Sequence, residues 1–289
     1  MQNVYRLVFF LCVLLCGLTS CRHHRTPKKI SFVSSNPSRQ RDGKVSDSYE
    51  HRRYSQIATL SLIDAVEGSP VDDIKLQRTG FVVSYNTSKC TPSWVAWELT
   101  SKETTGPISR KDYDFTPDPM IDARYQVEKH EYANSGYDKG HMCPAGDMKW
   151  SSSAMNDCHY MTNICPQAPK LNQVYWERLE STCRRWAELY GSIYVVCGPI
   201  YNSGKHTTIG TNHTIVVPDG YFKVVITLIE GEEKGIGFYY RNNEAHQTME
   251  SAALTIDQVE EITGYNFFAE LPIEVEERIE VQNELSSWR

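Results

Sequence analysis

The chain has 289 residues and a formal net charge of −6, with 40% hydrophobic and 23% charged residues, which is ordinary for a soluble globular protein. The acidic balance argues against a protein that coats DNA through an overall basic surface. It does not exclude a metal-dependent enzyme acting on polyanions, because the metal ion and a local basic patch can supply positive charge.

The first 21 residues have the pattern of a targeting segment. A basic residue precedes an almost wholly apolar run over residues 7–18, which is too short to span a bilayer comfortably. The run ends in the letters LTSC, which resemble the lipobox of bacterial lipoproteins. We therefore predict a lipoprotein signal peptide over 1–21 and a lipid anchor on Cys21. The protein would then be exported to the outer membrane, the periplasm or the cell surface. Ordinary cleavage near Ser20 and an uncleaved anchor are the alternatives.

Residues 22–53 contain nine Lys and Arg against three Asp and Glu, without a periodic apolar pattern. They predict a flexible basic linker, with a dedicated nucleic-acid-binding arm as the alternative. Residues 54–275 show no linker-like break and no internal repeat, so we predict a single domain there, followed by an acidic tail over 276–289.

Within this domain the pattern changes from strand-like to helical and back. The strand-like segments are bounded by turn-forming residues and occupy 79–86, 93–100, 192–201, 213–220, 221–230 and 235–242. Helices are predicted over 169–190 and 255–264. The first has apolar residues at spacings of three and four, with Pro169 in its first turn and Gly191 at its end. This order predicts an α+β fold.

The residues most able to carry chemistry lie between the two groups of strands. The segment YDKGHMCPAGDM, residues 137–148, places His141 after a glycine in a turn-rich stretch. It is followed by TNICPQ, which contains Asn163, and by the helical NQVYWERLE, which contains Asn172 and Glu180. In a regular α-helix the last two residues are about 12 Å apart in rise and about 80° apart in rotation. One could bind a metal ion while the other holds its water molecules.

These motifs, in this order, resemble those of the DNA/RNA non-specific endonucleases, the ββα-metal or His-Me finger nucleases that include endonuclease G. YDKGH matches the family's Asp-Arg-Gly-His signature, and the resemblance covers about residues 78–272. It implies a ββα-metal fold with a central antiparallel sheet and flanking helices. It also implies a sugar-non-specific endonuclease with DNA and RNA as substrates.

The resemblance implies a role for each matching residue. His141 would be the general base, for which an imidazole pKa near neutrality is suited. Asn172 would be the single direct protein ligand of Mg²⁺, with Mn²⁺ as a substitute, and Glu180 would hold the water molecules of the ion. Asn163 would orient His141 or contact the phosphate. Asp138 is expected to be a structural hydrogen-bonding residue.

The chain departs from the family at Lys139, which stands where the signature has arginine. Lysine keeps the positive charge but lacks the planar, bidentate guanidinium. We therefore expect a variant phosphate contact that affects rate or substrate preference. Arg124, Arg184 and Arg185 are further candidates for contacts with the substrate backbone.

Three alternatives remain open from the sequence. His141, Cys143, Cys158 and His159 have the side chains of a zinc site, although their spacings are unusual and export favours oxidised thiols. A phosphodiesterase acting on nucleotides or small esters would use the same metal chemistry. A catalytically silent surface lipoprotein that binds nucleic acid would not need a general base.

Overall fold

Seven strands form a central antiparallel sheet in the computed structural model, which describes residues 66–202 and 204–289. The strands in chain order are β1 Ile74–Gln77, β2 Val82–Asn86, β3 Thr91–Thr100, β4 Asp138–His141, β5 Ile164–Gln167, β6 Ser192–Ile200, β7 Thr208–Ile209, β8 Ile215–Val216, β9 Gly220–Thr227, β10 Lys234–Arg241 and β11 Ala253–Leu254. The sheet has the order β1-β2-β3-β6-β9-β10-β11, while β4 pairs with β5 and β7 with β8.

Both faces of the sheet are covered, because its long strands alternate apolar side chains between two core clusters. In β3, Val95 and Trp97 belong to one cluster and Trp94 and Ala96 to the other. This alternation follows from the two-residue period of a strand, and it explains why central strands are apolar almost throughout. We call the side that contains Val95 and Trp97 the first face, and the side that contains Trp94 and Ala96 the second face.

Five helices lie among the described residues: α1 Ser152–Cys158, α2 Glu177–Tyr190, α3 Met249–Ala252, α4 Ile256–Thr263 and α5 Ile273–Glu280. The first face is covered by α2, whose buried Leu179, Cys183 and Trp186 form the apolar stripe that the sequence predicts. The second face is covered by α4 and α5. The predicted α+β fold, with an antiparallel sheet and flanking helices, is confirmed.

The helix predicted over 169–190 is not regular. Its residues Leu171–Trp176 form π-type turns before the α-helical Glu177–Tyr190 begins. The wider turns change the rotation between Asn172 and Glu180, so the 80° expected for a regular helix does not apply. π-turns inside helices occur frequently at functional sites. The helix ends as predicted at Gly191, whose φ of 84° is one that glycine adopts without steric cost.

Two short segments also differ from the predicted elements. The predicted turn around His141 is strand β4, in which a Cβ at Gly140 would lie 1.9 Å from the side-chain oxygen of buried Gln167. Glycine is needed there for this close approach and not for a turn. The predicted strand over 213–220 contains only the two-residue β8 and the first residue of β9.

The C-terminal residues pack onto the domain. Helix α5 crosses the predicted boundary between residues 275 and 276, and it buries Val275 and Ile279. Trp288 is 2% exposed and packs against Trp186, with 4.6 Å between the ring centroids. An acidic composition therefore does not prevent this segment from contributing large apolar side chains to the core. Across the described ranges, no helix is both long and apolar enough to cross a membrane.

Candidate active site

Strands β4 and β5 and the helix that follows them assemble the motifs that are separate in the sequence. His141, the last residue of β4, is paired with Ile164, the first residue of β5. The π-turns that contain Asn172 begin at Leu171, shortly after β5 ends at Gln167. Two antiparallel strands and one helix thus carry His141 and Asn172 to one place on the first face.

A cleft of about 450 Å³ opens at this ββα unit. Its wall includes four of the five predicted site residues: Lys139, His141, Asn172 and Glu180. Its other charged side chains are Arg110, Lys149, Glu177 and Arg184. The wall therefore contains four Lys and Arg side chains and two carboxylates, a balance that favours binding of a phosphate despite the negative charge of the whole chain.

The imidazole of His141 is buried on one side and lines the cleft. It packs against Phe115 and edge-on against His159, with ring centroids 5.1 and 5.2 Å away. Burial, and then the proximity of His159 and Arg110, which disfavours a positive charge on the ring, hold the pKa of His141 well below its usual value, so the ring is neutral at pH 7. Its Nε2 is buried without a hydrogen-bond partner, which leaves Nδ1 as the nitrogen that can meet a water molecule.

Asp138 orients the predicted metal ligand Asn172. Its Oδ2 accepts hydrogen bonds from Nδ2 of Asn172 at 3.0 Å and from Nε2 of Gln173 at 2.7 Å. Because a carboxylate only accepts, the amide of Asn172 must direct its nitrogen toward Asp138 and its oxygen elsewhere. This oxygen makes no hydrogen bond within the described chain and is free to bind a hard cation. These hydrogen bonds are of the kind that the structural role predicted for Asp138 requires.

Glu180 is half-buried at the wall of the cleft. Burial raises the pKa of its carboxyl to about 7, and Lys223 is the main charge that opposes this rise. Lys223 is completely buried in β9, with its Nζ 4.4 Å from the ring centroid of Trp176 and without a hydrogen-bond partner among the described residues. This lysine could not be predicted as a site residue from the sequence, because a single cation within an apolar strand has no motif around it.

The basic residues predicted to contact substrate divide into two groups. Lys139 and Arg184 line the cleft, and Lys139 Nζ lies 5.5 Å from the ring centroid of Phe115. Arg124 and Arg185 are exposed and do not line it. Arg110 was not among the predicted contacts, because it is exposed at the cleft in a short 3₁₀ turn that has no periodic or motif signal.

Arg184 is fixed in the cleft wall by two hydrogen bonds. Its Nη1 donates to buried Asp147 at 3.0 Å, and its Nη2 donates to Ser181 at 2.9 Å. Burial disfavours the charged form of Arg184, but the charge and the hydrogen bond of Asp147 help to outweigh burial, so the pKa of Arg184 is raised and the guanidinium keeps its charge. Arg185, one position along the helix, is exposed and instead donates to Thr182 at 2.6 Å.

Asn163 does not reach the cleft. It is fully buried, and its Oδ1 accepts from the backbone N–H of Cys143 while its Nδ2 donates to the carbonyls of Cys143 and Cys158. All the hydrogen bonds of its side chain are thus made to backbone, so the expected phosphate contact has no support from its position. Its hydrogen bonds to Cys143 instead hold the backbone that follows His141.

The four residues of the zinc alternative do not converge on one point. His141, Cys158 and His159 can each place one ligand atom within 4.8 Å of the others, but Cys143 is outside this group. All the described cysteines are buried free thiols: Cys90, Cys143, Cys158, Cys165, Cys183 and Cys197. The cluster of three is adjacent to the cleft, because it shares His141 with it.

The chain is similar in sequence to two mitochondrial nucleases. Nuclease EXOG, mitochondrial, of Xenopus laevis is 32% identical over 73% of this chain and 65% of its own length. Endonuclease G, mitochondrial, of Homo sapiens is 30% identical over 66% of this chain and 68% of its own length. The chain therefore spans slightly less than two thirds of the Xenopus protein.

These relatives contradict the predicted localisation. Both are named as mitochondrial nucleases, and neither name describes an exported, lipid-anchored protein. The prediction of a protein in the outer membrane, periplasm or cell surface was therefore wrong. It depended on a short apolar run followed by Cys21, a local pattern that carries little information. Residues 1–65 lie outside the described part of the chain, so the structure adds nothing about that segment.

The fold and the family agree with the motif-based resemblance. A crystal structure of the EndoG/EndoGI complex, which addresses the mechanism of EndoG inhibition, aligns with a TM-score of 0.67 and 26% identity over 71% of this chain and 89% of that chain. The sequence profile for DNA/RNA non-specific endonucleases matches residues 63–274. The ββα unit, the ordered motifs and this match together place the chain in the DNA/RNA non-specific endonuclease family.

Proposed function

We propose that the protein is a metal-dependent, sugar-non-specific endonuclease that hydrolyses phosphodiester bonds in DNA and RNA. One observation carries the proposal: a neutral His141 and the free amide oxygen of Asn172 line the same positively charged cleft. Family membership supports the same reaction and the same substrates.

His141 is the general base of the proposed reaction. Its Nδ1 accepts a proton from the attacking water, and its lowered pKa keeps it unprotonated at neutral pH. The backbone around it is held by Asn163, which bonds to both backbone groups of Cys143. His141 therefore keeps its position in the wall when substrate enters.

The side chains present fit a Mg²⁺ ion, with Mn²⁺ as a substitute. Asn172 offers one neutral oxygen that Asp138 has already oriented, and Glu180 offers a carboxylate for water molecules around the ion. When bound, such an ion would neutralise charge on the scissile phosphate. One amide ligand and an outer carboxylate predict weak, exchangeable binding.

The basic side chains of the wall hold the phosphate. Arg184 is fixed by Asp147 and Ser181, so it is ordered before substrate binds. Lys139 and Arg110 add charge on the side of His141. Contacts of this kind recognise the phosphate backbone and not the bases, which is consistent with a nuclease of broad specificity.

Cleavage assays on plasmid DNA, single-stranded DNA and RNA test the proposal. We expect all three to be cleaved, EDTA to abolish cleavage and added Mg²⁺ to restore it. Asn172→Ala should lose activity that excess Mg²⁺ only partly restores. Cleavage that is indifferent to EDTA would contradict the proposal. Hydrolysis of small phosphodiesters without cleavage of nucleic acid would favour the phosphodiesterase alternative.

A further inference from the structure

A second group of potential metal ligands lies behind the catalytic histidine. His141 ends β4, while Cys158 ends α1 and His159 follows it directly. All three are buried, with exposed fractions of 8%, 0% and 2%, and one ligand atom from each lies within 4.8 Å of the others. This group contains no carboxylate, so it differs in chemistry from the oxygen-rich site at Asn172.

The two imidazoles each have a buried nitrogen without a partner. Nε2 of His141 and Nε2 of His159 make no hydrogen bond to any described residue. Nδ1 of His159 is 2.7 Å from the carbonyl of Met155, to which it must donate, so its Nε2 carries the lone pair. A metal-binding histidine commonly donates its other N–H to a backbone carbonyl in this way. Buried polar atoms left without partners are uncommon and call for an explanation.

We propose that His141, Cys158 and His159 form an inhibitory Zn²⁺ site that shares His141 with the catalytic cleft. One thiolate and two imidazoles are ligands that Zn²⁺ prefers, and they leave a fourth position for water. Tetrahedral ligands of Zn²⁺ lie about 3.3–3.8 Å apart, so side-chain shifts of about 1 Å are sufficient to close the site.

The binding step releases one proton. The thiolate, and not the thiol, is the form of cysteine that binds a metal ion. Zn²⁺ replaces the Sγ proton, which leaves to solvent, and a Zn–S bond forms. Zn²⁺ affinity should therefore increase with pH.

Inhibition follows from the two nitrogens of His141 and depends on the proposed function. Zn²⁺ on Nε2 uses the lone pair of that atom, so a neutral ring must carry its proton on Nδ1. Nδ1 is the nitrogen proposed to accept the proton of the attacking water. A zinc-bound His141 therefore cannot act as the general base, even with Mg²⁺ at Asn172 and Glu180.

Direct metal binding tests the site on the full-length protein. Titration calorimetry with ZnCl₂ should give one tight site per chain, and Co²⁺ should give a thiolate-to-metal charge-transfer absorption. Cys158→Ala and His159→Gln should each weaken Zn²⁺ binding by at least about tenfold. Cys143→Ala is the matched control, since it removes a buried thiol outside the cluster and should leave Zn²⁺ binding unchanged.

Activity measurements separate this site from the proposed function. Zn²⁺ should inhibit Mg²⁺-dependent cleavage by the parent, while Cys158→Ala and His159→Gln, each compared with its own rate in the absence of Zn²⁺, should resist Zn²⁺. The zinc site is refuted if the parent binds no Zn²⁺, or if Cys158→Ala binds or is inhibited as the parent is, which would place Zn²⁺ at Asn172. If His141→Ala still cleaves DNA, the general base is wrong, whereas the calorimetric test of the zinc site is unaffected.

Discussion

The two faces of the central sheet are both buried, but they differ in whether their buried polar side chains have hydrogen-bond partners. On the first face, Lys223 and Nε1 of Trp176 are buried without hydrogen-bond partners within the described chain, and so is Nε2 of His141 at the cleft. Among the described residues, none of the unpartnered buried side-chain atoms belongs to the core cluster of the second face. There the indole N–H of Trp94, for example, donates to Ser69 at 2.7 Å.

This difference indicates that the first face carries the functional site, whereas the second face mainly stabilises the fold. Leaving a buried polar group unpaired costs roughly 1–3 kcal/mol, and such costs concentrate where a site must meet a ligand. The described core cluster of the second face has no such group, and this face is expected to supply stability. Substitutions on the two faces should therefore separate folding from activity.

The largest effect on stability is expected from Phe222→Ala on the second face. Phe222 is completely buried and packs against Phe267, with 5.4 Å between the ring centroids. Loss of this side chain should lower the free energy of unfolding by about 3–5 kcal/mol. Denaturant unfolding measures the change. Below the unfolding transition the variant should cleave DNA at nearly the parental rate. A loss of activity without a loss of stability would contradict the assignment of stability to the second face and of activity to the first.

Removing the charge of Lys139 tests whether the first face carries the activity. Lys139→Met keeps the apolar stem and removes the charge beside the proposed phosphate site, so turnover should fall by about 10²-fold. Lys139→Arg is the matched control and should keep or raise activity, because arginine remains charged and adds donors. Steady-state rates on one duplex DNA compare them. A methionine variant as active as the parent would remove Lys139 from the mechanism, and a damaging Lys139→Arg would mean that the site is specific for an ammonium group.

Asp138→Ala should weaken metal binding without removing a ligand. The amide of Asn172 would lose the acceptor that directs its nitrogen away from the metal position. Losing a partner of this kind typically costs 10- to 100-fold in metal affinity or activity, so we expect a loss of about that size. The Mg²⁺ concentration for half-maximal cleavage measures it. Unchanged Mg²⁺ dependence would show that Asn172 does not need Asp138 for its orientation.

The smallest predicted effect is a shift of the pH profile. Because the pKa of Glu180 is raised to about 7, its carboxyl is protonated below that pH and charged above it. Protons therefore compete with the metal, and cleavage at low Mg²⁺ should decline as pH falls through about 7. Higher Mg²⁺ should move this decline to lower pH, and Glu180→Gln should abolish that movement. A profile that is independent of Mg²⁺ would show that Glu180 does not titrate with metal binding.

The sequence predicts what long periodic segments and ordered motifs can encode. The apolar stripe of α2 spans several turns, so its buried face was predictable from Leu179, Cys183 and Trp186. Strand β4 was not predictable, because four residues are too few to show a periodic pattern and a glycine such as Gly140 is typical of a turn.

The unpredicted parts of the site depend on contacts between distant residues. Asn163 lies twenty positions from Cys143 in the sequence, and its side chain hydrogen-bonds to the backbone of Cys143. Arg110 reaches the cleft from a short 3₁₀ turn outside the predicted helices and strands. The burial of Lys223 beneath Glu180 depends on how the helix packs on the sheet. Side-chain type and spacing predict candidates, but only packing decides which of them face the cleft.

The rate of a single turnover by His141→Ala tests the central claim most directly. The assay would use one DNA substrate, saturating Mg²⁺ and protein matched to the parent by circular dichroism. Loss of general-base assistance predicts a rate lower by about 10²–10⁴-fold, with a smaller change in stability than in Phe222→Ala. A variant that keeps more than about half the parental rate would contradict the assignment of His141 as the base, since even weak base catalysis is worth about 10²-fold.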